Sequence, residues 1–145
     1  GDGFSPCDGD CADDDPASVP TGPNSPPQPD AGPDLILSDS VLCPVDNYGN
    51  YVCPACDLMT LMLDGSSSVD PDGHPISFLW SSVLAGPGTA SIPVPTAMTT
   101  ELWIESGVPA YGGSVVTTTV VELETLDCLD SASDFLVVIL ECFGI

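Results

Sequence analysis

The chain has 145 residues, of which 22 are acidic and none is lysine or arginine, so its formal net charge at neutral pH is −22. Nucleic acids and anionic membrane surfaces bind basic patches, and this composition therefore argues against both as partners. The longest uninterrupted apolar run, residues 135–140, has the length of a strand and is too short to span a bilayer, so we expect no membrane insertion.

The cysteine content is high for a small cytosolic domain and indicates an oxidising compartment. The seven cysteines are Cys7, Cys11, Cys43, Cys53, Cys56, Cys128 and Cys142. We therefore expect a secreted protein, extracellular or at a cell surface. Because no signal peptide is present, its leader would have been removed. The odd count leaves one thiol that is either free or paired with another chain.

At least two intrachain disulfides are predicted, because each would close a short loop: Cys7 with Cys11, and Cys43 with either Cys53 or Cys56. The spacing of Cys53 and Cys56 also suits a redox dithiol. That chemistry needs a helix start to stabilise a thiolate, and none is predicted here, so a structural disulfide is favoured.

The first segment, residues 1–16, is crowded with aspartates around three glycines and a Cys-x-x-x-Cys pair. Oxygen ligands at close spacing, with glycines that permit sharp turns, suit Ca²⁺ coordination. The spacing resembles the Asp-rich DxDGDG repeats of bacterial surface proteins and thrombospondin type 3 modules. A solvated acidic tail is the alternative. The predicted calcium ligands are Asp2, Asp8, Asp10, Asp13 and Asp15.

Residues 17–33 contain six prolines and no apolar periodicity, which is typical of an extended linker. Such a segment cannot order itself, so we expect a metal, a disulfide or a neighbouring subunit to hold it. Its hydroxyl residues and prolines suit O-linked sugar.

Seven strands are predicted from residue 34 onward, separated by clusters of Gly, Pro, Asp and Asn. Their ranges are about 34–42, 57–63, 75–83, 89–93, 99–106, 114–125 and 133–142. Because no stretch has the pattern of a helical crossover, the sequence favours an all-β antiparallel sandwich over residues 34–145.

Residues 63–80, LDGSSSVDPDGHPISFLW, link two of these strands through a polar turn. The alternation after the turn places Ile76, Phe78 and Trp80 on one face of a half-buried strand. Together with Leu63, which precedes the turn, they are the predicted core.

The same turn contains aspartates that suit a second, weaker calcium site, namely Asp64, Asp70 and Asp72. They also serve as caps and turn formers without an ion. His74 is the only histidine, and we expect it to be an exposed turn residue. A zinc site that combines His74 or Cys142 with the cysteines of residues 43–56 is a further interpretation.

A strand ending in LDGSSS, then DPDG, then an alternating strand with tryptophan, resembles the PKD (polycystic kidney disease) domain over about residues 31–140. The resemblance implies an immunoglobulin-like sandwich of an extracellular protein. In such a sandwich the end of the first strand, the first loop and the end of the last strand share one pole. This would bring Cys43, Cys53, Cys56 and Cys142 together, with Cys128 at the opposite pole beside the N-terminal tail.

The residues favour a non-enzymatic protein, because only His74 could serve as base for a serine or cysteine nucleophile. The leading hypothesis is an extracellular structural subunit that assembles with its own copies, through the tail and through apolar strand faces. The assembly residues predicted on the last strand are Phe135, Val137 and Ile139. The alternative is a secreted PKD-like binding or adhesion module for protein or polysaccharide, where an exposed aromatic such as Trp103 could hold the sugar.

Overall fold

The computed structural model describes residues 25–56, 59–127 and 129–145. Several sequence predictions lie outside this part of the chain: the calcium ligands of the Asp-rich motif, the Cys7–Cys11 disulfide and the position of Cys128. The described residues form seven strands and no helix, so the all-β prediction is confirmed for them. Accordingly, they contain no helix long and apolar enough to cross a membrane.

The strands are β1 Leu35–Val41, β2 Met59–Asp64, β3 Ser77–Ala85, β4 Gly88–Ser91, β5 Thr99–Ser106, β6 Ser114–Leu126 and β7 Ser131–Gly144. They form a four-stranded sheet in the order β1-β7-β6-β3 and a three-stranded sheet in the order β2-β5-β4. Residues of both sheets contribute to one hydrophobic core. This arrangement is that of a β-sandwich.

One strand pair departs from the antiparallel prediction. Strand β1 runs parallel to β7, whereas the other neighbouring pairs are antiparallel. Parallel neighbours cannot be joined by a tight turn and need a long connection. Because β1 and β7 are the first and last described strands, the rest of the domain supplies that connection.

The core is centred on Trp80, whose side chain is fully buried. Its indole Nε1 donates a hydrogen bond to the carbonyl of Ala97 at 2.9 Å, so the one polar atom of the ring is satisfied. Leu63 is buried in the same cluster, and Phe78 packs against it while partly exposed. Ile76 precedes β3 and is half-buried.

The segment before β1 lies against its own sandwich. Gln28 forms an antiparallel bridge with Val69 in the connection between β2 and β3. Further along, the backbone N–H of Ala31 donates to the carboxylate of Asp134 at 2.8 Å. These bonds satisfy backbone groups that a free linker would leave to water. The described end of the predicted linker is therefore attached to its own domain.

Four buried cysteines form two disulfides, Cys43–Cys53 and Cys56–Cys142. The first is one of the two pairings that the sequence left open. The second joins the loop after β1 to the end of β7. Sulfur atoms held in disulfides are neither thiolate ligands nor a redox dithiol, so the cysteine-zinc and dithiol interpretations are wrong for these residues.

Candidate functional site

The connection between β2 and β3 brings two carboxylates and the only imidazole of the chain together. Gly73 adopts a φ of 75°, a left-handed conformation that favours glycine, and its N–H donates to the carbonyl of Asp70 at 3.0 Å. The N–H of Asp72 donates to Oδ1 of Asp70 at 2.7 Å. In this tight turn Asp70, Asp72 and His74 each offer a ligand atom, and these atoms lie within 4.8 Å of one another. These three residues form the turn cluster.

The turn cluster contains two polar atoms that the described residues leave without a hydrogen bond. The side chain of Asp70 is 1% exposed and that of His74 is 21% exposed. Oδ2 of Asp70 and Nδ1 of His74 are both buried and have no hydrogen-bond partner. Nδ1 lies 3.9 Å from Oδ1 of Asp70, which is too long for a hydrogen bond. His74 is thus half-buried beside Asp70, and the expectation of an exposed turn residue is wrong.

Electrostatics at Asp70 disfavour its ionised form. Burial raises the pKa of Asp70, the N–H of Asp72 lowers it, and the Asp127 carboxyl beside it raises it further through a shared hydrogen bond and charge repulsion. The charge of His74 lowers this pKa to a smaller extent. Two neighbouring carboxyl groups, one of them out of water, require either a shared proton or a cation.

Asp64 does not join the other two aspartates of the predicted second calcium site. Among the described residues, the only group of potential metal ligands is the turn cluster, which does not include Asp64. Instead, Oδ1 of Asp64 accepts the N–H of Ser66 at 2.9 Å, and hydrogen bonds from Ser66 lower the pKa of Asp64. Asp64 is a turn former, so a calcium site built from Asp64, Asp70 and Asp72 does not fit this geometry.

The outward face of the four-stranded sheet carries exposed or half-buried apolar side chains on each of its four strands. The strand register places Ile36 beside Ile139, and Val137 beside Val120 and then Val83. Ile36 is 75% exposed and Val83 is 71% exposed, so branched side chains on both edge strands of this sheet lie open to solvent. The whole surface, named the outer band, consists of Ile36, Val83, Val116, Val120, Phe135, Val137 and Ile139.

The outer band includes the three assembly residues predicted on the last strand. On β7, Phe135 is exposed, and Val137 and Ile139 are half-buried between neighbouring strands. Carboxylates border the band, since Glu122 lies beside Phe135 and Glu141 lies beside Val116. The members on β1, β3 and β6 were not predicted from the sequence. For β6 the signal was present in residues 115–121, VVTTTVV, where branched residues occupy both faces of the strand.

The outward face of the smaller sheet carries one exposed aromatic residue. Trp103 on β5 is partly exposed, and its Nε1 donates to Oε2 of Glu101 at 2.8 Å. A second aromatic group lies elsewhere on the surface: Tyr51 and Tyr111 stack with ring centroids 3.7 Å apart. Both tyrosines are half exposed, so their outer edges are open to a ligand.

No protein-family model matches this chain. A comparison with curated proteins also gives no match. Among solved structures, the chain is similar to a nucleoside hydrolase-related hypothetical protein from Saccharophagus degradans that is associated with carbohydrate metabolism. The identity is 18% and the TM-score 0.47, and the match covers 82% of this chain and 26% of that one. The chain thus spans about a quarter of that protein's length, and a likeness at this level carries no functional argument.

Proposed function

We propose that this chain is a non-enzymatic extracellular structural protein, a subunit that assembles with its own copies into a fibre or surface layer. In this proposal the disulfides and calcium bound by the Asp-rich motif stabilise the subunit. The two buried disulfides support an oxidising compartment. The same pairing leaves the four described cysteines unable to act as nucleophiles.

We propose further that the sandwich is immunoglobulin-like and of the PKD type. Strands β3, β6 and β7 are adjacent in one sheet, and β2, β5 and β4 in the other. These groups correspond to strands C, F, G and B, E, D of the immunoglobulin fold. The first strand lies beside β7 and not beside β2, so it has joined the C-F-G sheet.

The observation that carries the assembly proposal is the outer band. Three strand spacings of about 4.8 Å and three row spacings of about 7 Å give a surface of roughly 15 Å by 20 Å, or about 300 Å². Exposed apolar patches of that size on soluble proteins are often functional. An apolar sheet face is commonly covered by a second sheet packed about 10 Å away.

The occupant that we propose for the outer band is a second copy of the chain. A sheet face packed on its own two-fold image forms a self-complementary contact, in which rows of branched side chains interdigitate. A face of about 300 Å² is less than half of the roughly 800 Å² per partner found in standard interfaces. The contact is therefore weak in isolation and needs a second one to hold an assembly. We propose that the N-terminal tail provides that second contact.

Salt dependence distinguishes a second copy from a basic protein partner. Glu122 and Glu141 border the outer band, and a chain without lysine or arginine brings no cation to neutralise them. Association between copies should therefore strengthen as ionic strength rises, because salt screens the acidic borders. Association with a basic partner would weaken.

Sedimentation velocity of the full chain, over a range of concentrations and at two salt concentrations, tests this proposal. Val83→Asp places a carboxylate in the outer band at an edge strand and should shift the protein to monomers. The matched control is Thr60→Asp, which adds the same charge on an exposed position of β2 in the other sheet. Equal association of both variants, or stronger association at low salt, would contradict a contact between copies through this face.

A second candidate function, polysaccharide binding, is favoured by Trp103 alone. An exposed indole beside a carboxylate can stack on a sugar ring while the carboxylate accepts its hydroxyl hydrogens. Co-sedimentation with insoluble polysaccharides tests it. Binding that Trp103→Ala abolishes would support this function, and retention by wild type and variant alike would exclude Trp103 as the platform.

A further inference from the structure

We propose that Asp70, Asp72 and His74 bind one divalent transition-metal ion of the zinc class, and that this site selects such an ion over Ca²⁺. The ligand atoms lie within 4.8 Å of one another. Two ligands of one zinc ion, each bonded at about 2.0–2.2 Å, lie roughly 3–4 Å apart. Small side-chain rotations therefore close the turn cluster around an ion, without moving the backbone.

The unpartnered atoms of the turn cluster point to a ligand. The side chain of Asp70 is 1% exposed, yet its Oδ2 accepts no hydrogen bond, and the buried Nδ1 of His74 has no partner either. A buried carboxylate oxygen without a hydrogen bond is costly, and so is a buried imidazole nitrogen without one. One cation bonded to both atoms would remove both costs.

The surrounding charge favours a divalent ion. The carboxyl group of Asp127 lies beside Asp70 and repels it, and Asp72 adds a third carboxylate at the surface. Because the chain contains no lysine or arginine, His74 is the only side chain that could carry a positive charge beside these carboxylates. Its Nδ1 lies 3.9 Å from Oδ1 of Asp70, beyond hydrogen-bond range.

The identity of the donor atoms decides the class of metal. Two carboxylates and one imidazole nitrogen form a mixed oxygen and nitrogen set, which suits Zn²⁺ and the neighbouring first-row ions. Calcium takes six to eight oxygen ligands in protein sites. A site built from aspartates alone would also accept Ca²⁺, so His74 is the residue that makes this site selective against Ca²⁺.

An ion in this position would have a structural consequence for the segment before β1. The backbone N–H of Ser25 donates to Oδ2 of Asp72 at 2.7 Å. A metal bonded to Asp72 fixes that carboxylate and strengthens the attachment of residues 25–31 to the turn.

Imidazole NMR of the full chain, with disulfides intact, reports this site selectively because His74 is the only histidine. Titration with ZnCl₂ should shift the His74 ring resonances, and the shift should saturate, even where zinc also binds acidic residues elsewhere. Millimolar CaCl₂ should leave them unchanged. Asp70→Asn should weaken the zinc affinity at least about tenfold, the scale on which even supporting residues of metal sites act. Glu105→Gln, an exposed loss of the same charge on β5, should leave it unchanged.

Asp70→Asn is expected to fold, since it removes a buried charge and keeps the shape of the side chain. Preserved circular dichroism would establish this, and His74→Gln gives an independent check by losing the zinc-induced rise in Tm. Three outcomes would overturn the proposal: His74 resonances that ignore zinc, a zinc response unchanged in Asp70→Asn, or an equal response to calcium. The first would mean that a shared proton or a protonated His74 satisfies the carboxylates.

Discussion

Removing the Cys56–Cys142 disulfide is expected to cost more stability than removing Cys43–Cys53, because it closes a much longer loop. The sequence separations are 86 residues for the first and 10 for the second. A disulfide acts mainly by restricting the unfolded chain, and the restriction grows with the logarithm of loop length. The two disulfides thus form an internal comparison within one protein.

The magnitude follows from the loop lengths. The chain-entropy relation gives about 4.6 kcal/mol at 25 °C for the long loop and about 2.7 kcal/mol for the short one. The difference of about 2 kcal/mol corresponds to about 8 °C in Tm for a domain of this size. Burial acts in the same direction, because Cys142 is fully buried on the strand that pairs with both β1 and β6.

The double variants Cys56→Ala/Cys142→Ala and Cys43→Ala/Cys53→Ala, compared by urea unfolding without reductant, measure both losses. Peptide mapping must first establish that the other disulfide is intact, with a protease that cleaves at acidic residues because trypsin has no site. Equal losses, or a larger loss from the short loop, would refute the loop-length argument.

Three further predictions concern single residues. Ser66→Ala should raise the pKa of Asp64 toward its ordinary value of 3.8, as measured by carboxyl NMR, and an unchanged pKa would contradict this. The stabilisation from the Ser66–Asp64 hydrogen bond is present above pH 3.8 and is lost as the pH falls through the lowered pKa. Gly88→Ala should cost about 1–3 kcal/mol or more, since Gly88 has a φ of 121° and a Cβ would clash with the carbonyl of Glu105; a fully stable variant in urea would show that the strand edge yields. Trp80→Phe should cost about 1–3 kcal/mol by leaving a carbonyl unpaired, and unchanged thermal unfolding would contradict this.

Much of the fold could be predicted because its signals are local. The alternation of apolar and polar residues through Phe78 and Trp80 indicates a strand with one face buried. The Asp-Pro-Asp-Gly turn indicates that the preceding strand ends before it. The seven strands lie within two residues of their predicted bounds. The parallel pairing of β1 with β7 depends on the whole chain between them, so no local sequence pattern predicts this pairing.

The candidate sites could be predicted less well than the strands, because they too depend on contacts between distant parts of the chain. A strand with branched residues on both faces can have both faces buried or one face exposed to solvent. Which of the two occurs depends on whether another layer of the fold covers the sheet. The register that aligns Val83, Val120 and Val137 joins residues from three separate parts of the sequence. Likewise, the turn sequence indicates that Asp70 and His74 are close, but not that Oδ2 of Asp70 and Nδ1 of His74 are buried.

Electron microscopy of the purified full chain tests the central claim, self-assembly, most directly. In the presence of calcium and moderate salt, the wild-type protein should form filaments or ordered layers, and Val83→Asp should give separate particles of one-domain size. Separate particles from the wild type at every concentration, with its disulfides shown to be intact, would contradict a structural role based on the outer band.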